Sequence, residues 1–139
     1  MASDDKTQSF LKSLFAGEVR QEIVFPYPFM PPHEQDDLRI IIDSFREFAR
    51  DHIDSAAIDR QGFIAKEVFA GLKELGFFGL AIPEKYGGAG LSQTAYSRVF
   101  EEICTVDASM GVSLGAHLSI GSKGITMFGN DAQKEKYLP

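Results

Sequence analysis

The amino-acid sequence predicts an all-α protein: an orthogonal or up-down bundle of about five to six helices behind an irregular, proline-rich amino-terminal arm. Three observations carry that expectation. Apolar residues recur at three- and four-residue spacing over most of the chain, as one face of a helix requires. Glycine, proline and capping residues fall between those periodic runs, where helices stop and start. No window alternates apolar and polar residues for long enough to propose a strand, and Ala81–Ile82 and Val112–Leu114 are too short to count.

The elements follow in order. Phe10, Leu11, Leu14 and Phe15 form one face of a short amphipathic helix over 7–16, which Gly17 ends. Residues 25–32, Phe-Pro-Tyr-Pro-Phe-Met-Pro-Pro, hold too many prolines for regular structure, and their aromatics are expected to pack this arm across a larger body. From His33 a long helix carries Leu38, Ile41, Ile42, Phe45, Phe48, Ala49 and Ile53 on one stripe, with Glu34, Asp36 and Asp37 in its first turn, where the helix dipole favours negative charge. A second main helix runs from Ala65 to Leu75 through Val68, Phe69 and Leu72, and Gly76 is its left-handed stop. A loop over 77–90 precedes the third, Ser92 to Val106, which buries Ala95, Val99 and Ile103. A glycine-interrupted helical stretch covers 107–128 before Gly129, and Asn130 with Gln133 begins a last helix as a capping box. Residues 1–32 therefore read as an arm with a short helix, and 33–139 as a helical domain.

With 139 residues the chain has one domain's length, and its net charge of −6 works against binding a phosphate backbone, so nucleic acid is not an expected partner. Cys104 is the single cysteine, which rules out an internal disulfide and a cysteine-based zinc site. The polar, acidic start (Met1 to Lys6) resembles neither a secretory signal nor a mitochondrial presequence, and no apolar run approaches the ~18 residues of a spanning helix. A cytoplasmic location is the expectation from these features; membrane contact is left open.

Candidate chemistry is sparse. His33, His52 and His117 include no pair at i, i+4, so no metal site is expected, and His117 reads as a hydrogen-bonded core or interface histidine. Glu101 and Glu102 are adjacent, about 100° apart on a helix, and cannot face each other as an acid/base pair. Cys104 has no basic neighbour on its helix and reads as a structural thiol. The loop Tyr86-Gly-Gly-Ala-Gly-Leu-Ser92 fits two roles, a sharp turn that needs positive φ or an anion cradle at the next helix with Ser92 as N-cap; the turn is favoured. Gly111 and Gly115 lie one turn apart on one face and Ser119 continues the bare stripe. Each mid-helix glycine costs about 1 kcal/mol relative to alanine, so the pair needs a reason. Either another helix approaches closely or a slender apolar ligand lies there, and spacing alone favours helix packing.

Longer segments carry a resemblance. Residues 71–91, Gly-Leu-Lys-Glu-Leu-Gly-Phe-Phe-Gly-Leu-Ala-Ile-Pro-Glu-Lys-Tyr-Gly-Gly-Ala-Gly-Leu, resemble the signature of the amino-terminal helical domain of acyl-CoA dehydrogenases. Residues 128–139 look like the segment leading into that family's middle β-domain, while 113–121 and 24–28 are similar to its very-long-chain branch. The resemblance implies an FAD-dependent oxidation of an acyl-CoA, a long-chain one, to the trans-2-enoyl-CoA. It also implies a glutamate base, electron-transfer flavoprotein as the electron acceptor, and a homo-oligomer. In the family the base and the main flavin contacts lie in the β-domain and the carboxy-terminal helical bundle, beyond residue 139. No residue here is therefore expected to be catalytic, no cofactor-binding residue is assigned, and the chain alone is expected to be inactive. The family's helical domain supplies one wall of the acyl tunnel, which on this sequence turns the stripe toward the ligand and gives Gly111, Leu114, Gly115 and Leu118 as substrate-binding residues. A different class of function, a free-standing helical module for protein interaction, is the alternative.

Overall fold

A computed structural model describes residues 9–25, 30 and 32–139, and the chain divides into two compact units, 1–30 and 31–139. In the first unit, α1 (Phe10–Phe15) starts after Ser9 and ends at Gly17, whose φ of 83° is the left-handed conformation expected of its stop. A single 3₁₀ turn, Gln21–Ile23, follows, with the Arg20 guanidinium donating to Glu22 at 2.7 Å. Residues 26–29 and 31 of the proline arm, and with them its expected docking, lie outside the described residues.

The second unit is built on α2 (Pro32–His52), 21 residues long and opened by a proline at its first position, where no intrahelical N–H is needed. Leu38, Phe45 and Ala49 are its buried stripe. A helix absent from the sequence reading follows: α3 (Ser55–Gln61), capped by Asp54, which accepts from the Ala57 N–H at 2.9 Å, and closed by Gly62 at φ 73°. Seven residues are too few to display a period, although the two capping residues marked its ends. α4 (Lys66–Glu74) buries Val68 and Leu72, and a Cβ added at Gly71 would collide with the Phe48 ring, so this glycine lets α4 close on α2.

Residues 77–91 hold two short 3₁₀ turns, Phe77–Gly79 and Glu84–Tyr86. Phe77 reaches under α2, its ring 5.4 Å from that of Phe45, and both rings are buried. Then come α5 (Gln93–Val106), α6 (Ala108–Ala116), α7 (Lys123–Phe128) and α8 (Asp131–Tyr137). The Asn130–Gln133 capping box is formed in both directions at 2.9 Å. Between α6 and α7 the helix widens into one π turn, His117–Gly121, in which the Ser122 N–H reaches the His117 carbonyl at 2.9 Å. The second unit thus has seven α-helices among the described residues rather than five or six, because α3 adds one and the glycine-rich stretch splits at the π turn. No strand occurs among the described residues.

The core lies between α2, α4, α5 and α6, where Phe45, Leu72, Phe77, Val99, Ile103, Met110 and Leu114 are fully buried. Each such side chain contributes about 1.5–3 kcal/mol on removal from water. α2 and α5 run parallel: Glu34 meets Ser92 at their starts, and Arg46 meets Glu102 further along. Among the described residues no helix is long and apolar enough to cross a membrane.

Candidate functional site

The glycine-rich loop of residues 86–92 is satisfied by its own backbone. Its N–H groups are already used. Gly87 donates to Glu84, Ala89 to Gly79, Gly90 to Ile82 and Leu91 to Leu80, all at 2.8–3.0 Å. Gly87 and Gly90 sit at φ 86° and 60°, while a Cβ at Gly88 would strike the Ile82 carbonyl. The loop is a turn folded on itself. At the head of α5 the Ser92 hydroxyl caps the Ala95 N–H, and the Ser92 N–H and hydroxyl both donate to the Glu34 carboxylate, at 2.7 and 2.9 Å. The anion at this helix start is therefore the chain's own Glu34, which is buried.

The head of α6 is filled in the same way. Asp107 ends α5 and caps α6: one carboxylate oxygen accepts from the N–H groups of Ser109 and Met110 at 2.9 and 3.1 Å and from the Ser109 hydroxyl. The other accepts from the hydroxyl of Ser55, the first residue of α3, at 2.6 Å. Burial pushes this carboxyl's pKa up, and the hydrogen bonds from Ser109, Ser55 and Met110 outweigh burial and hold it below the ordinary value. Both helix heads are thus capped by the chain's own carboxylates.

The tunnel-lining candidates lie on α6 and the π turn, and the structure turns them inward. Leu114 and Leu118 are buried in the core. A Cβ at Gly111 would overlap the Cys104 sulfur, and one at Gly115 would lie 2.8 Å from the Phe100 ring. The bare stripe is thus occupied by α5 side chains, which is the close helix approach that spacing alone favoured. Cys104 is the residue beneath Gly111 and remains a half-buried free thiol.

A neighbouring face of the same helical run, about 100° round from the glycines, is not singled out by the sequence analysis. Val112, Ala116 and Ile120 stand in a row at i, i+4 and i+8, all exposed, Val112 at 70% and Ile120 at 85%. The signal is present in the sequence as an apolar row one residue on from the glycines, but a helical period does not tell which of two apolar faces is inward. His117, next to this row, is exposed, and its ring stands edge-on to Phe78 at 5.1 Å. Beyond it opens a groove of about 1060 Å³, floored by Phe69, Phe78, Ile82, Ile125 and Leu138. Of the two adjacent glutamates, Glu101 pairs with Arg98 at the surface, whereas Glu102 takes a two-pronged hydrogen bond from Arg46 at 2.7 and 2.9 Å. That contact, against a smaller opposing effect of burial, lowers the Glu102 pKa. No cluster of metal-ligating side chains occurs among the described residues.

Residues 35–139 match the family model of the acyl-CoA dehydrogenase amino-terminal domain. The chain belongs to this family. It is 42% identical over 135 residues to the mitochondrial very long-chain specific acyl-CoA dehydrogenases of Homo sapiens and Macaca fascicularis, covering 96% of this chain and 21% of each relative. A probable acyl-CoA dehydrogenase of Mycobacterium tuberculosis is 39% identical over 132 residues, 94% of this chain and 20% of that one. The acyl-CoA dehydrogenase domain described here therefore spans about a fifth of the length of these relatives.

Proposed function

We propose that this chain serves as the amino-terminal domain of an FAD-dependent acyl-CoA dehydrogenase that oxidises a long-chain acyl-CoA to the trans-2-enoyl-CoA, and that α6 gives one wall of the acyl channel. In this reading 33–139 is the helical domain, flavin and catalytic base belong to other parts of the enzyme, electrons leave to an electron-transfer flavoprotein, and the enzyme is a homo-oligomer. Family membership supports the reaction class. The observation that carries the wall is the exposed row Val112, Ala116 and Ile120, backed by a helix pressed onto α5 at Gly111 and Gly115. The outward row touches the acyl chain; Gly111, Leu114, Gly115 and Leu118 act from behind by setting how deep the helix sits. An apolar wall of this kind gains about 0.8 kcal/mol for each methylene it shields, so its depth selects chain length.

Ala116→Phe in the complete enzyme tests this. A ring at that position shortens the channel, so kcat/KM falls increasingly steeply as the acyl chain of the CoA thioester lengthens. A uniform loss over octanoyl- to octadecanoyl-CoA would remove α6 from the channel. A complete protein that oxidises no acyl-CoA with any electron acceptor would instead favour the free-standing interaction module.

A further inference from the structure

A wall that selects chain length needs a fixed position. α6 buries Met110 and Leu114 in the core and lays Gly111 and Gly115 directly against Cys104 and Phe100 of α5. Its far end runs into the π turn. At its near end Asp107, which is 7% exposed, joins three helices: its N–H donates to the Ile103 carbonyl of α5 at 3.0 Å, one carboxylate oxygen caps α6, and the other accepts from the Ser55 hydroxyl on α3. Capping α6 uses only one of those oxygens. The bond to Ser55 adds nothing to the cap; it ties the start of α6 sideways to a different helix, five residues before Val112.

We infer that Asp107 is a positioning residue for acyl-chain selection, holding the start of α6 against α3 through Ser55 so that the row Val112, Ala116, Ile120 stands at a fixed depth. This rests on the reading of α6 as a channel wall. The residue touches no substrate. It acts because a small displacement of a wall is felt by every methylene along it, and a misplacement of about 1 Å at a distance can cost a large factor in rate. A long chain, in contact with more of the wall, loses more than a short one. The Ser55 bond separates this role from ordinary capping, since Ser55→Ala leaves the cap on Ser109 and Met110 intact.

The test uses the complete enzyme with Asp107→Ala, Asp107→Asn, Ser55→Ala and Ala116→Phe, each assayed with octanoyl- and hexadecanoyl-CoA, with Tm recorded. Asp107→Ala lowers the hexadecanoyl-to-octanoyl ratio of kcat/KM by roughly fivefold or more. Ser55→Ala lowers it in the same direction by less and with little change in Tm, and Asp107→Asn, whose amide oxygen still caps α6 and whose NH₂ can donate to Ser55, restores most of it. A ratio unchanged in both Asp107→Ala and Ser55→Ala, with Tm lowered in the first, makes Asp107 a helix cap only and overturns the proposal. Ala116→Phe identifies which idea has failed. If it shifts the ratio while the Asp107 and Ser55 variants do not, the wall stands and the positioning role falls; if it does not shift the ratio, the wall falls and the positioning role with it.

Discussion

The Glu34 carboxylate accepts both the N–H and the hydroxyl of Ser92, so an acid from the first turn of α2 sits at the head of α5, 58 residues away. Two dipoles are served by one side chain. Glu34 carries negative charge at the start of its own helix and completes the start of the neighbouring one. Because α2 and α5 lie parallel, both positive ends are at the same side of the unit, and one buried carboxylate answers both.

Replacing Glu34 by alanine is therefore expected to cost about 1.5–3 kcal/mol, the range for a charge-assisted hydrogen bond, and more than any of the surface pairs such as Arg39–Asp36. Urea unfolding of Glu34→Ala, Ser92→Ala and the double variant measures it. A coupling energy near zero in that cycle would mean that the two residues are stabilised independently.

Gly111→Ala shows whether the glycine stripe is set by α5. Helix propensity alone would reward alanine by about 1 kcal/mol. The added Cβ instead meets the Cys104 sulfur, and overpacking of this kind costs about 1–3 kcal/mol, so the variant is expected to be less stable. Cys104→Ala in the same chain removes the obstructing atom. The double variant should recover most of the loss and benefit from the helix propensity of alanine, read as Tm or denaturation midpoint. No recovery would mean that the strain lies elsewhere on α6.

Acid stability follows from two carboxyls. Asp107, through its Ser109, Ser55 and Met110 bonds working against burial, and Glu102, chiefly through its Arg46 bond, both hold protons less tightly folded than unfolded. Their contribution is complete above the ordinary carboxylate range, about 3.8 for aspartate and 4.5 for glutamate, and is lost as the pH falls from there through the lowered folded values. A titration of Tm from pH 7 to 2 should show a steep acid limb. Asp107→Asn and Glu102→Gln should each flatten it.

Much of the fold was legible because helix ends are local chemistry. Gly17, Gly76, Ser92 and the Asn130–Gln133 pair act within a few residues of themselves, and each ends or begins a helix as its type requires. α3 escaped because its seven residues carry no full period, and the π turn because nothing in Ala116–Ser122 distinguishes a five-residue backbone bond from a four-residue one. The candidate site was half legible. α6 was found, and the family it belongs to was readable from residues 71–91 and 128–139, whose order along the chain needs no tertiary information.

What a helical period leaves open is what each face meets. Gly111 and Gly115 share a face by arithmetic, but only the position of Phe100 and Cys104 on α5 makes that face the packed one and leaves Val112, Ala116 and Ile120 outside. The same holds for the anion at α5: Ser92 announces a capped helix start, yet that a carboxylate from α2 fills it depends on the parallel packing of two elements nearly sixty residues apart. Periodicity and capping are short-range and written in neighbouring residues; occupancy of a face or a helix end is long-range, and is decided only when the other helices have closed around it.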